Sequence, residues 1–346
     1  MSQKKEFWQV VRGLCIMAVI ICHCPGIAKF ESFSFDYLFF LVVRQIASFG
    51  VPVFLFISGY FVNPEKVMQK NVFFLTRFRR LAVPYFIWTC IYLLVGYIQF
   101  AQNGLTFPVS KMIVAFITGG ATAPLYYIIV LLQLTLLTPF LLNHLKKNDW
   151  IKKLIWLISP MYLVLIYAYC WTEGKFPPFY NVPFFGWIFF YYLGLNLRHN
   201  PIFLKRVFSF FGKKEFLICG LVLCVFESMF LSTHNLVNFA ISQMKFSSML
   251  MSLIICLYVF VNGEKKCLDK LFVSFGDCSY GIFYIHELVK KLAIFIISMF
   301  ASCLGFTIKF VLCFMITFLL SFVFIYLYRK WLKKFKISNF IFSSWV

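Results

Sequence analysis

The chain has 346 residues, of which 62% are hydrophobic, 21% aromatic and only 13% charged, and it carries a formal net charge of +21. A water-soluble domain is nearer half apolar and a quarter charged, so this composition excludes a soluble globular protein. Lys and Arg fall in short clusters between apolar runs, not on one polar face, which argues against a nucleic-acid partner and fits charge that orients a chain in a lipid bilayer.

Apolar runs long enough to cross a bilayer as helices recur along the whole sequence. They predict spans at about 8–28, 37–62, 81–101, 124–143, 154–171, 183–197, 215–233, 246–262, 272–292 and 305–328. The expected fold is therefore an all-α polytopic membrane protein of about ten transmembrane helices, a single domain over 1–346 with no soluble domain. The first run lacks a small-residue cleavage site and reads as a retained helix. The longest external loop, about 102–123, carries "ITGGATAP". With the N-terminus inside, 25 Lys and Arg lie on the cytoplasmic side and seven on the other, with Arg44 inside a span. That asymmetry predicts both termini in the cytoplasm. The outer set includes Lys29, Lys245, Lys290 and Lys291.

The twelve cysteines sit mostly inside apolar runs and form no CxxC pair, so neither a disulfide framework nor a zinc site is expected. Cys22 and Cys24 flank His23, but on a helix they point about 200° apart and cannot share a metal unaided. They read as buried apolar thiols.

Polar groups at membrane depth are costly and mark candidate sites. Arg12, His23, Arg44, Glu227, His286 and Glu287 qualify, with Gln133 a weaker member. Arg12 and His23 are eleven residues apart, which returns to nearly the same helix face about 16 Å further on. Arg12 also fits a snorkelling anchor, and Glu227 fits a pairing with a neighbouring helix. His23 and His286 fall at similar depth in spans running the same way, so two imidazoles can face one cavity, and an imidazole is suited to proton transfer near neutrality. Arg77, Arg79 and Arg80 precede the third span, with Pro84 one turn inside it. They fit either a topological anchor or an anion site, since guanidinium forks bind phosphate. In "SFGVPVFLFISGYFV" (48–62), Pro52 and Gly59 interrupt an apolar helix beside Ser58, a pattern tolerated where backbone lines a cavity or packs closely.

In this order the features resemble the acyltransferase family 3 membrane proteins, which acylate sugars and related acceptors of bacterial envelopes, typically from acetyl-CoA. The family's Arg-x10-His opening is matched by Arg12 and His23, and its F-G-V-P/D-x-F-x-x-S-G-Y/F stretch by Phe49 to Tyr60. Its Arg-rich third-helix entry is matched by Arg77, Arg80 and Pro84. "YYLGLNLR" (191–198) fits a middle-helix ending, and "GDCSYGIFYIH" (276–286) is similar to the late G-x-x-S-Y-G motif. "PLYYIIVLLQLTLLTP" departs from the family, which often places Trp where Leu125, Tyr126 and Tyr127 stand. No extra-membrane hydrolase-like domain, of the kind some relatives carry after the last span, is expected.

The resemblance implies a membrane O-acyltransferase of the bacterial cytoplasmic membrane. It would take acetyl-CoA, or another acyl-CoA, as donor substrate with no tightly bound cofactor and no metal, and would act on an envelope carbohydrate, alone or beside separate glycan-assembly proteins. It implies that Arg77, Arg79 and Arg80 hold the CoA phosphates, and that Arg12 marks the path of the thioester arm. His23 would serve as general base or acyl carrier, and His286 would position the acceptor or move a second proton. Ser58, Tyr126, Tyr127 and Glu287 would line the substrate path. The alternative expectation is a multi-pass exporter or flippase of a glycan or lipid-linked sugar, although the paired half-repeats common in transporters are not evident.

Overall fold

The computed structural model describes residues 3–25, 34–104, 108–145, 150–199, 201–263 and 270–335. Lys29, Lys146, Lys147, Lys265, Lys266, Cys267 and Lys336 of the sequence reading lie outside these. Among the described residues the secondary structure is helical, with no strand. The chain opens with α1 (Gln3–His23), the pair α2 (Phe35–Ala47) and α3 (Gly50–Tyr60), the short α4 (Pro64–Met68) and the long α5 (Lys70–Gln102). Then come α6 (Val109–Thr118), α7 (Tyr126–Leu145), α8 (Trp150–Glu173), α9 (Ile188–His199) and α10 (Pro201–Val207). The last elements are α11 (Lys214–Thr233), α12 (Val237–Ala240), α13 (Phe246–Asn262), α14 (Lys270–Phe300) and α15 (Phe306–Phe335).

Seven of these segments are long and apolar enough to cross a membrane: 6–23, 35–60, 70–102, 123–145, 150–173, 214–233 and 306–332. Their outward faces expose Phe86, Val164, Phe226 and Phe324, among many large apolar side chains. So much uncovered apolar surface suits lipid and not water. The fold is an all-α membrane protein. Of the remaining expected spans, α13 has 17 residues and α9 only 12. α14 has the length, but carries Lys270, Asp277, Glu287, Lys290 and Lys291.

The helix boundaries have local causes. The reading of a first span to about residue 28 is corrected: α1 stops at His23, two residues before Pro25, whose ring cannot continue a helix. The expected span 37–62 is broken between Ala47 and Gly50. Pro52 then stands third in α3, where its missing N–H is one the helix could not use. α5 starts at Lys70, so Arg77, Arg79 and Arg80 lie inside the helix and do not precede it. Pro84 deprives the Arg80 carbonyl of its helical donor. The Tyr280 hydroxyl supplies one instead, at 3.0 Å.

Glycine makes two close helix crossings possible. α1 and α14 run parallel, and a Cβ on Gly276 would sit 1.8 Å from the Gln9 carbonyl oxygen. On α3 and α9, a Cβ on Gly59 would meet the Tyr191 carbonyl oxygen at 2.1 Å, and one on Gly194 the Phe56 carbonyl oxygen at 2.2 Å. These are the glycines of "GDCSYG", "ISGYF" and "YYLGLNLR". Without a driving force from water, small residues that let backbones approach are the main route to tight packing in lipid.

Candidate active site

α1 ends inside the bundle, and its last carbonyls need partners. Arg44 of α2 donates to the Cys22 carbonyl and, at 3.2 Å, to that of Ile241. Lys290 of α14 donates to the His23 carbonyl at 2.9 Å. Two cations at a helix C-terminus satisfy orphan acceptors and complement the helix dipole. They also fix where the last residue, His23, points.

His23 meets three groups of α14. Its ring centroid lies 5.6 Å from that of His286. The Glu287 Oε1 atom lies 3.8 Å from His23 Nδ1 and 3.8 Å from His286 Nε2. Lys290 Nζ donates to both Glu287 oxygens at 2.8 Å, one turn along the helix. The His286 side chain is wholly buried, whereas that of His23 retains 21% of its exposure. His286 Nδ1 sits 3.1 Å from the Ile282 carbonyl oxygen, which can only accept. Nδ1 therefore carries the hydrogen, and Nε2 presents its lone pair with no hydrogen-bond partner among the described residues. The arrangement offers two imidazoles able to take protons and a carboxylate able to stabilise an imidazolium on either.

Towards the N-terminal half of α1, Arg12 accepts a different role. Its Nη1 donates to Gln9 Oε1 at 3.2 Å, and Gln9 Nε2 donates to Asp277 Oδ1 at 2.8 Å. The guanidinium lies 5.6 Å from the Phe61 ring centre, with Asp277, Tyr127 and Arg77 in electrostatic reach. Arg77 itself lies over Phe73 at 5.7 Å. Arg77 and Arg80 share a face of α5, three residues apart, while Arg79 points about 200° away from Arg77; Arg77 is half-buried, and Arg79 and Arg80 are both exposed. The sequence-level trio is thus a pair plus an outlier.

Ser58 is buried and donates to the Phe54 carbonyl of its own helix at 2.8 Å. The Tyr127 hydroxyl lies beside it, and the Tyr127 ring packs on Phe54 at 6.2 Å and on Phe283 at 5.5 Å. Tyr126 packs on Trp187 at 6.1 Å and neighbours Cys22 and Tyr180. Cys22 donates to the Ala47 carbonyl at 3.4 Å, whereas Cys24 faces Cys313 of α15. The two thiols flanking His23 diverge, as the helical spacing requires. Gln133 serves the loop after α8, accepting from Phe184 N at 2.8 Å and donating to the Val182 carbonyl at 3.3 Å.

Several contributors were not singled out from sequence. Gln9 and Asp277 orient Arg12; Gln9 was findable, being one turn before Arg12 on the same face. Lys290 reads as an outer-loop cation because it closes an apolar run. Tyr92, Tyr280 and Tyr284 lock α5 to α14: Tyr92 donates to the Tyr284 carbonyl at 2.6 Å, and the hydroxyls of Tyr280 and Tyr284 are 3.0 Å apart. No polar periodicity marks these tyrosines among 18 in the chain.

A second buried ion pair joins α8, α11 and the start of α13. Lys245, counted as an outer cation from sequence, is fully buried. Its Nζ lies 3.8 Å from Glu227 Oε2 and donates to Ser247 Oγ at 2.8 Å and the Cys224 carbonyl at 3.1 Å. Burial pushes its amine down to about 8, against the pull of Cys224 and Glu227. Glu227 accepts from the Tyr167 hydroxyl and, at 2.8 Å, from Ser247 N. The expected pairing of Glu227 with a neighbouring helix is what the structure holds.

A helical membrane bundle whose first helix ends in a histidine facing a second histidine, a carboxylate and a lysine brings four ionisable groups together at one place inside it. Residues 5–333 match the model of the family described as an acyltransferase domain. The chain belongs to this acyltransferase family, and the match covers nearly all of it. Neither the curated proteins nor the solved structures returned a match.

Proposed function

We propose that the protein moves an acyl group, most simply acetyl, from cytoplasmic acyl-CoA to a hydroxyl of an envelope sugar presented at the outer face of the bacterial cytoplasmic membrane. The observation that carries this reading is the juxtaposition of His23 with His286 and Glu287 in a member of an acyltransferase family. The excess of Lys and Arg on one side supports cytoplasmic termini, so that the Arg12 end faces the donor and the His23 end the acceptor.

Arg77 and Arg80 hold the CoA diphosphate, and the thioester arm follows α1 past Arg12, Tyr127 and Ser58 to His23, about 16 Å along the helix. His23, the more accessible imidazole, takes the proton of the acceptor hydroxyl as its oxygen attacks the thioester carbonyl. When the tetrahedral intermediate collapses, the carbon–sulfur bond breaks and that proton passes to the departing CoA sulfur. The products are the acyl ester and free CoA, with no net change at His23. Glu287 stabilises the transient imidazolium, and His286 Nε2 is placed to share its proton through the same carboxylate. Tyr126, beside Cys22 and Tyr180, lies at the acceptor side. Lys290 positions Glu287 and the end of α1.

The test is acetyl transfer from labelled acetyl-CoA to envelope carbohydrate by the purified protein. His23→Ala should lower the rate by about 10²–10⁴-fold while leaving folded protein in the membrane. Normal transfer by that variant would sink the mechanism.

A further inference from the structure

Resting on the acyl-CoA reading above, we propose that the nucleotide end of the donor, with its ribose 3′-phosphate, docks in a cavity between α3, α4, α7 and α9, where Arg198 is its principal phosphate contact. The cavity holds about 930 Å³ and is lined by Asn63, Lys70, Asn143, Arg198 and His199, with Phe61 on its wall. That size is in the range of cofactor pockets. Two fixed cations and a histidine outweigh the one carboxylate on the lining, Glu65. Asn63 Oδ1 caps α4 by accepting from Glu65 N at 2.9 Å, which leaves its amide nitrogen, and the Asn143 side chain, for a purine edge.

Its position ties it to the transfer path. Phe61 is also the ring beneath the Arg12 guanidinium. Arg198 lies 5.8 Å over the Tyr60 ring, and Tyr60 stacks on Trp8 of α1 at 4.8 Å. Thr138, next to the lining residue Pro139, is 2.8 Å from the Tyr191 hydroxyl, which is in electrostatic reach of Arg77. The cavity therefore adjoins the Arg12 and Arg77 end of the path, and none of Arg77, Arg79 or Arg80 lines it. A CoA molecule carries two phosphate loci: the diphosphate near the arm and the 3′-phosphate on the ribose. One arginine face on α5 and a separate basic cavity beside it match that division. Arg198 is suited to the 3′-phosphate because a guanidinium binds phosphate through two parallel hydrogen bonds.

The test compares three donors on the purified full-length protein in nonionic detergent: acetyl-CoA, acetyl-dephospho-CoA, which lacks the 3′-phosphate, and acetyl-pantetheine, which lacks the nucleotide. Arg198→Ala should raise KM for acetyl-CoA about tenfold with kcat unchanged, the loss of one charge-assisted contact. It should leave KM for the other two donors as in the wild type, and wild-type KM should rise about tenfold on removal of the 3′-phosphate. An equal rise for all three donors, or none for any, overturns the cavity assignment while the transfer reading stands. Wild-type protein that uses none of the donors overturns both. Lys70→Ala, at the exposed start of α5, carries the same comparison if Arg198→Ala does not fold.

Discussion

Two buried ion pairs in this protein use the same chemistry to opposite ends. At Glu227 and Lys245 every polar atom has a partner: a tyrosine hydroxyl and a backbone N–H on the carboxylate, a serine hydroxyl and a carbonyl on the ammonium. At Glu287 and Lys290 the pair is closer, 2.8 Å against 3.8 Å, but two imidazoles stand 3.8 Å from the carboxylate, one of them with an unoccupied Nε2. A saturated pair fixes helices to one another. An unsaturated one keeps capacity to hold a proton. Charge at membrane depth alone does not separate these cases; the completeness of hydrogen bonding does.

This comparison can be broken by mutation. Glu227→Ala leaves Lys245 buried without its carboxylate, which typically costs about 3–5 kcal/mol. Thermal unfolding in detergent should show the loss, and acyl transfer per folded molecule should stay at the wild-type level. A variant that folds normally but transfers slowly would move Glu227 into the chemistry. Glu287→Gln keeps the volume and removes the charge. Transfer should fall on the order of a hundredfold, at the low end of acid–base effects, with a much smaller change in stability. Unchanged transfer would reduce the second pair to a structural one as well.

The smallest expected effect is on pH. The folded protein holds the Lys245 amine at about 8, below the ordinary value of 10.5. Between those limits the unfolded chain binds the extra proton, so stability should rise with pH through that window and level off above it. The penalty is fully present below about pH 8. Lys245→Met should flatten the profile; a wild-type melting temperature that falls from pH 8 to 10 while that of the variant stays level would contradict the assignment.

Much of the site was legible because lipid makes polar residues conspicuous. Arg12, His23, His286 and Glu287 stand out in apolar runs, and helical spacing alone puts Arg12 and His23 on one face. Lys245 and Lys290 were not legible, because a cation at the end of an apolar run looks the same whether it faces water or folds back onto a buried carboxylate. The end of α1 lay between: Pro25 was visible, but the apolar run through Cys24 masked the stop. Arg79 grouped with Arg77 and Arg80 in the sequence, and only the start of α5 at Lys70 made the three part of one helix whose geometry separates them.

Composition and the length of the apolar runs by themselves determined that this chain lives in a bilayer as helices, since a run of about twenty apolar residues satisfies its polar backbone in lipid within a single helix. Order and spacing of motifs determined its family. What only the tertiary structure decided is which polar groups meet. Gly276 lets α14 close on α1, so that His23, His286 and Glu287, far apart in sequence, share one centre. That meeting depends on backbone approach and on carbonyl capping by Arg44 and Lys290, long-range contacts that no local pattern of residues encodes.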